Sequence, residues 1–160
     1  MKTYKLLTPG PLTTTDSVKQ EMLFDHCTWD EDYKQITQRI RRELLQLAHV
    51  DETAYTTVLM QGSGTFGVES VISSVIPDDG CLLLLSNGAY GERIAAMCRY
   101  HHINCVHIVQ DYDKMPDRMK AEEALKQHPE ITHIAMIHSE TTTGILNDIQ
   151  SIGELAKTYH

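Results

Sequence analysis

No segment of this 160-residue sequence approaches the roughly 20 apolar residues that span a bilayer. Its opening, Met1-Lys2-Thr3-Tyr4-Lys5, reaches Pro9-Gly10-Pro11 after only two leucines, which leaves no apolar core for a signal peptide. Its four cysteines, Cys27, Cys81, Cys98 and Cys105, form no C-x-x-C pair, and two fall inside apolar runs where free thiols are commonly buried; a reducing, cytoplasmic compartment is expected. Basic charge is in deficit: 14 Lys+Arg against 22 Asp+Glu give a net charge of -8, which argues against non-specific attraction to nucleic acid or an anionic membrane. Any phosphate this chain binds must therefore be held by local geometry. Nine histidines are present without an H-E-x-x-H or comparable pairing. His101-His102 closes a helical pattern, and His133 and His138 bracket the apolar run Ile134-Ala135-Met136-Ile137, so structural roles are expected for them and no metal. Internal repeats and low-complexity stretches are also missing.

What is present is an ordinary globular composition, 41% hydrophobic and 22% charged, and a length suited to one domain. Pro9, Gly10 and Pro11 predict an irregular arm, after which Thr13-Thr14-Thr15-Asp16 offers cap residues for a short helix through Phe24. Ile36, Ile40, Leu44 and Leu47, interleaved with Arg39, Arg41, Arg42 and Glu43, predict an amphipathic helix. Beyond His49, apolar runs alternate with helices. The β-branched stretch Thr56-Thr57-Val58-Leu59-Met60 predicts a strand, followed by a glycine-rich turn and a helix that buries Val68, Val71, Ile72, Val75 and Ile76. Cys81 to Leu85, Ile103 to Val109 and Ile131 to His138 predict three more strands, and helices are predicted from Gly91 to Tyr100, from Pro116 to Gln127 and over Ile149 to Tyr159. Parallel neighbours need helical crossovers, so this alternation predicts an α/β fold with a mostly parallel sheet sandwiched by helices. The last helix has no stop signal, and an incomplete domain is expected.

Three polar loops follow strands in this scheme. In Gln61-Gly62-Ser63-Gly64-Thr65-Phe66-Gly67, glycines permit a tight turn, the first amides of the next helix are left unpaired, and the Ser63 and Thr65 hydroxyls can donate to phosphate oxygens. The helix dipole adds about 0.3 to 1 kcal/mol for an anion there. The same glycines match G-x-G-x-x-G, but the next strand ends in Ser86-Asn87-Gly88, without the acidic residue that a dinucleotide ribose requires. The second loop, Ser86-Asn87-Gly88-Ala89-Tyr90-Gly91-Glu92-Arg93, sets one aromatic between two glycines at a strand's C-terminal end, where a tyrosine can lie on a flat heteroaromatic ring. The third, His138-Ser139-Glu140-Thr141-Thr142-Thr143-Gly144, crowds hydroxyls and a carboxylate together. In a parallel sheet all three converge on one edge.

Read together with Leu7-Thr8-Pro9-Gly10-Pro11-Leu12-Thr13, with Phe24-Asp25-His26-Cys27-Thr28-Trp29-Asp30-Glu31-Asp32-Tyr33 and with the continuation Ile145-Leu146-Asn147, these loops resemble the class V aminotransferases of fold type I. The resemblance runs along essentially the whole chain. It implies that residues 1–50 are an arm and helices, and that residues 51–160 are the first part of a larger domain that binds pyridoxal 5'-phosphate. It further implies that Ser63, Gly64 and Thr65 hold the cofactor phosphate, that Tyr90 stacks on the pyridine ring, and that Thr142, or failing that Thr143, meets the phenolic oxygen while Glu140 braces the loop. Within the family the likeness is greatest to members that transfer the amino group of 2-aminoethylphosphonate to pyruvate, giving phosphonoacetaldehyde and alanine. A homodimer is implied too.

The family's Schiff-base lysine, its aspartate against the pyridinium nitrogen and its substrate arginine have no counterpart in this sequence. Lys114, Lys120, Lys126 and Lys157 sit in charged contexts that do not lower a pKa toward the nucleophilic form. The chain is therefore expected to be an amino-terminal portion with no catalytic residue of its own. Two alternatives remain: another member of the family, acting on alanine and glyoxylate or serine and pyruvate, and a non-catalytic α/β module that binds a phosphate or nucleotide.

Overall fold

A computed structural model of the chain describes residues 4–7 and 12–159. The Pro9-Gly10-Pro11 arm and the Met1-Lys2-Thr3 opening lie outside the described residues, as does His160. The chain divides into two compact units, Met1–Gln61 and Gly62–His160.

In the first unit, α1 (Asp16–Glu21) is shorter than expected, and Met22 already closes its last turn. Helix α2 (Glu31–Leu47) follows Asp30 and carries two carboxylates in its first turn, where the helix dipole favours them. Its apolar stripe is in place, with Ile36, Ile40 and Leu44 each 39–50% exposed. The strand predicted over Thr56–Met60 does not form. These residues take no regular structure, and α2 holds the first two instead: Arg41 donates through Nε to the Thr57 carbonyl at 3.0 Å and through Nη2 to Thr56 Oγ1 at 2.7 Å, and Thr57 Oγ1 donates to the Arg41 carbonyl at 3.0 Å. The β-branched composition suits a pleated surface, but no neighbouring strand among the described residues offers it an edge.

The second unit contains α3 (Gly64–Val75), β1 (Cys81–Ser86), α4 (Ala89–Tyr100), β2 (Asn104–Val109), α5 (Arg118–Gln127), β3 (Ile131–Met136), the short strands β4 (Ser139–Glu140) and β5 (Ile145–Leu146), and α6 (Ile149–Tyr159). Strands β2, β1 and β3 form a parallel sheet in that order, with β1 in the middle. Every residue of β1 is buried. Its alternating side chains serve two cores: Leu82 and Leu84 pack with Ile72, Ile76, Ile94, Ala95 and Cys98, whereas Leu83 and Leu85 pack with Ala121, Ala124, Leu125, Ile152 and Leu155. A continuous leucine run is what a strand covered on both faces requires, and full burial of each leucine is worth on the order of 2 kcal/mol. The expected α/β class, a parallel sheet between helical layers, is therefore the one observed.

Two details differ from expectation. Only Ile72 and Ile76 of the predicted α3 stripe are buried, while Val71 and Val75 are 55% and 50% exposed. The hydroxyl loop is a small antiparallel hairpin, with Ser139 opposite Leu146 and Glu140 opposite Ile145, and Gly144 takes the left-handed φ of 76° that its turn needs.

Candidate functional site

Ser63 stands in extended conformation just before α3, and its Oγ accepts from the Phe66 amide at 3.1 Å, the usual way a serine caps a helix. The Ser63 carbonyl takes the Gly67 amide at 3.0 Å. No described residue accepts from the Gly64 or Thr65 amide, the next two donors of the first turn. A Cβ added at Gly64 would meet nothing within 4 Å, so packing does not demand the glycine and open space lies against this backbone.

The two hydroxyls of the turn each accept one hydrogen bond. Ser63 Oγ receives Phe66 N–H, and Thr65 Oγ1 receives Arg93 Nη1 at 2.8 Å. Each keeps its own proton to give away. With the Gly64 and Thr65 amides, the turn presents hydrogen-bond donors, which matches a group that only accepts, such as a phosphate monoester. Arg93 also connects this turn to Tyr90, its guanidinium carbon lying 4.6 Å from the centre of the tyrosine ring. Tyr90 is 40% exposed.

Helix α4 starts without a side-chain cap of its own. Its first two amides are taken by the hairpin: Ala89 N donates to Thr142 Oγ1 at 3.2 Å and Tyr90 N to Glu140 Oε1 at 3.4 Å. The two glycines that flank Tyr90 make room for the protein itself. A Cβ at Gly88 would overlap the Glu140 side chain, and one at Gly91 would overlap Ser86. Tyr90 is thus fixed from both sides by close backbone approach.

Glu140 is fully buried and braces the hairpin, because its Oε1 also accepts from Thr142 Oγ1 at 2.6 Å and Thr142 N at 3.2 Å. Its Oε2 is buried with no hydrogen-bond partner among the described residues. The hydroxyl of Thr142 is accordingly spent within the fold, giving its proton to Glu140 and receiving Ala89 N–H. Thr143 Oγ1 reaches the Glu140 carbonyl at 3.5 Å and receives Ile145 N–H at 3.4 Å. The structure therefore gathers Ser63, Gly64, Thr65, Tyr90 and Thr142 along one line of contacts, from the α3 turn through Arg93 to α4 and on to the hairpin.

Three groups were not singled out from the sequence. Arg93 closed a quoted motif but carried no assigned role. Asn87 and Asn147 exchange side-chain hydrogen bonds at the base of the same loops. Ser86 Oγ lies 2.9 Å from Glu92 Oε1 and 2.7 Å from His107 Nε2. This serine, histidine and glutamate do not form a hydrolase triad, since the carboxylate approaches the same Nε2, at 3.6 Å, instead of orienting the far ring nitrogen, and Ser86 is 1% exposed. They pin the start of α4 to β1 and β2. No local spacing announces any of these long-range pairs.

Lys114 and Lys126 behave as the sequence indicated. A hydrogen bond and the charge of Asp111 raise the Lys114 pKa, and those of Glu122 raise that of Lys126, so both hold their protons more firmly than usual. Among the described residues no three His, Cys, Asp or Glu side chains gather as a metal site would need, and no described helix is long and apolar enough to cross a membrane.

No family model matches the chain. Curated proteins do: the 2-aminoethylphosphonate–pyruvate transaminase of Lysinibacillus sphaericus is 54% identical over 160 residues, covering 100% of this chain and 44% of that protein. The protein of the same name from Bacillus cytotoxicus is 53% identical over 156 residues, covering 98% of this chain and 43% of its own length. The chain thus spans less than half the length of these relatives. Among solved structures, a pyridoxamine–pyruvate aminotransferase from Mesorhizobium loti superposes with a TM-score of 0.85 at 23% identity, covering 98% of this chain and 39% of that one. An alanine–glyoxylate aminotransferase from Nostoc sp. gives 0.85 at 22% identity, covering 99% and 42%. The resemblance carried by the motifs holds along the whole chain, and the fold is shared with these aminotransferases.

Proposed function

We propose that this chain is the cofactor-holding part of a class V aminotransferase, binding pyridoxal 5'-phosphate in an enzyme that moves the amino group of 2-aminoethylphosphonate to pyruvate and yields phosphonoacetaldehyde and alanine. The observation that carries this reading is the donor-rich face of the Ser63–Thr65 turn, linked through Arg93 to the ring of Tyr90. A phosphate needs the first, and a flat pyridine ring suits the second.

In this reading the Gly64 and Thr65 amides and the Ser63 and Thr65 hydroxyls hold the phosphate, and the open space at Gly64 lets it approach the backbone. Tyr90 supports the ring, positioned by Glu140, Thr142 and the close contacts at Gly88 and Gly91. Thr142, or Thr143 beside it, would meet the phenolic oxygen, and Thr142 would do so by giving up its bond to Glu140. When bound, pyridoxal phosphate supplies the electron sink that lets an amine give up a proton and pass its nitrogen to a keto acid. None of the residues in the three loops is a lysine or an aspartate, so this chain by itself is expected to bind cofactor without turning over.

Donor and acceptor rest on the 53–54% identity with relatives that bear the phosphonate name. Cytoplasmic residence fits the free thiols Cys81 and Cys98, both buried. A homodimer is the working form for this fold type, and residues 51–160 contribute to its large domain. The test is alanine formation by the full gene product with pyridoxal 5'-phosphate, 2-aminoethylphosphonate and pyruvate. Alanine made at comparable rates only from another amine overturns the substrate assignment, and no transfer from any amine overturns the enzyme.

A further inference from the structure

Arg93 is the only lysine or arginine in the three converging loops, residues 61–67, 86–93 and 138–144, where two glutamates, Glu92 and Glu140, also lie. A phosphate monoester carries close to two negative charges near neutral pH. In a chain of net charge -8 the amides of one helix start, worth about half an elementary charge, do not balance such a group. Arg93 is placed to do so. Its Nη1 donates to Thr65 Oγ1 at 2.8 Å, and its guanidinium carbon is 4.6 Å from the centre of the Tyr90 ring. One guanidinium thus contacts a residue assigned to the phosphate and the residue assigned to the ring.

The bond to Thr65 has a chemical consequence. Arg93 fills one lone pair of that hydroxyl and leaves the Thr65 proton free to be given to an anion. The guanidinium uses one of its five N–H groups in this bond and retains others for an anion beside Thr65. Its position over Tyr90 holds the ring against rotation and keeps the cation at the junction.

We infer that Arg93 is the charge partner and positioning residue of this site: it selects the phosphorylated form of the cofactor through Thr65 while fixing the plane of Tyr90. This rests on the reading that the turn holds a phosphate. It concerns a residue to which neither the motifs nor the likeness to aminotransferases assigned a role.

The amine forms of the vitamin make no covalent bond to a lysine, so they isolate phosphate recognition from chemistry. Calorimetric titration of the full gene product with pyridoxamine 5'-phosphate and with pyridoxamine is the test, on wild type, Arg93→Gln and Arg93→Lys, with thermal unfolding of each variant as the control for folding. Arg93→Gln is expected to weaken pyridoxamine 5'-phosphate about 10- to 100-fold and leave pyridoxamine within about 2-fold, with Arg93→Lys recovering part of the loss. Equal weakening of both ligands, or of neither, in a wild-type background that prefers the phosphorylated form overturns the role of Arg93 and leaves the phosphate turn standing. A wild type without that preference removes the phosphate turn and Arg93's role with it. Should Arg93→Gln fail to fold, Arg93→Lys decides: the same ligand-selective loss, smaller in size, supports the role, and a non-selective one overturns it.

Discussion

Asn87 and Asn147, 60 residues apart, exchange two side-chain amide hydrogen bonds of 2.9 Å each, with both residues buried. The remaining amide protons are also used: Asn87 Nδ2 donates to the Lys114 carbonyl at 2.9 Å and Asn147 Nδ2 to the Ile137 carbonyl at 2.8 Å. Every side-chain donor and acceptor of the pair is satisfied, and the end of β1, the segment after β3 and the loop before α5 are held at one point.

Replacing either asparagine strands its partner's buried amide. Asn87→Ala and Asn147→Ala are each expected to cost about 2–3 kcal/mol, and the double variant less than their sum, since the pair acts as a unit. Urea unfolding of the three variants measures this. Additive losses would show that the two amides are independent.

Glycines in the site sort into two kinds. Gly88→Ala and Gly91→Ala introduce a Cβ into Glu140 and Ser86 and are expected to destabilise by about 1–3 kcal/mol. Gly64→Ala meets open space at the first position of α3, so stability is expected to hold or rise by up to about 1 kcal/mol, while affinity for a phosphorylated cofactor falls. Thermal unfolding and cofactor titration of the three variants separate the two kinds.

Glu140 holds three donors on Oε1. Glu140→Ala leaves them without an acceptor and is expected to cost at least about 3 kcal/mol, whereas Glu140→Gln keeps the carbonyl oxygen and costs less. Similar losses for both would mean that the negative charge, not the accepting oxygen, braces the hairpin.

The thiols carry a pH dependence of known sign. Burial pushes the Cys105 thiol up to about 12 and raises those of Cys81 and Cys98. A folded pKa above the unfolded one, about 8.5, means that this stability is complete below that pH and is lost as the pH rises toward 12. Unfolding midpoints measured from pH 8 upward should fall over this window, and Cys105→Ala should flatten part of the fall. In the folded protein at pH 8 a thiol reagent is expected to label the exposed Cys27 rapidly and the buried Cys81 and Cys98 only on unfolding.

Much of the second unit was legible because its physics is local. A strand covered on both faces must be apolar throughout, so Cys81 to Leu85 could be read directly, and β2, β3 and α4 followed from the same periodicity. Thr56–Met60 misled because β-branched residues report fitness for a pleated surface and say nothing about a partner; Arg41 supplied polar ties instead. The hydroxyl run read as a loop because two-residue strands leave no period to detect, and the turn at Gly144 closes them. Within the candidate site, the helix start at Ser63 and Gly64 was legible from its cap chemistry. Arg93 and the asparagine pair were not, since their meaning lies in partners 28 and 60 residues away.

The measurement that tests the account most directly is a crystal structure of the full gene product with pyridoxal 5'-phosphate. The account predicts phosphate oxygens about 2.7–3.2 Å from the Gly64 and Thr65 amides, with the pyridine ring against Tyr90. A phosphate bound away from the α3 turn, or a ring out of contact with Tyr90, would contradict it.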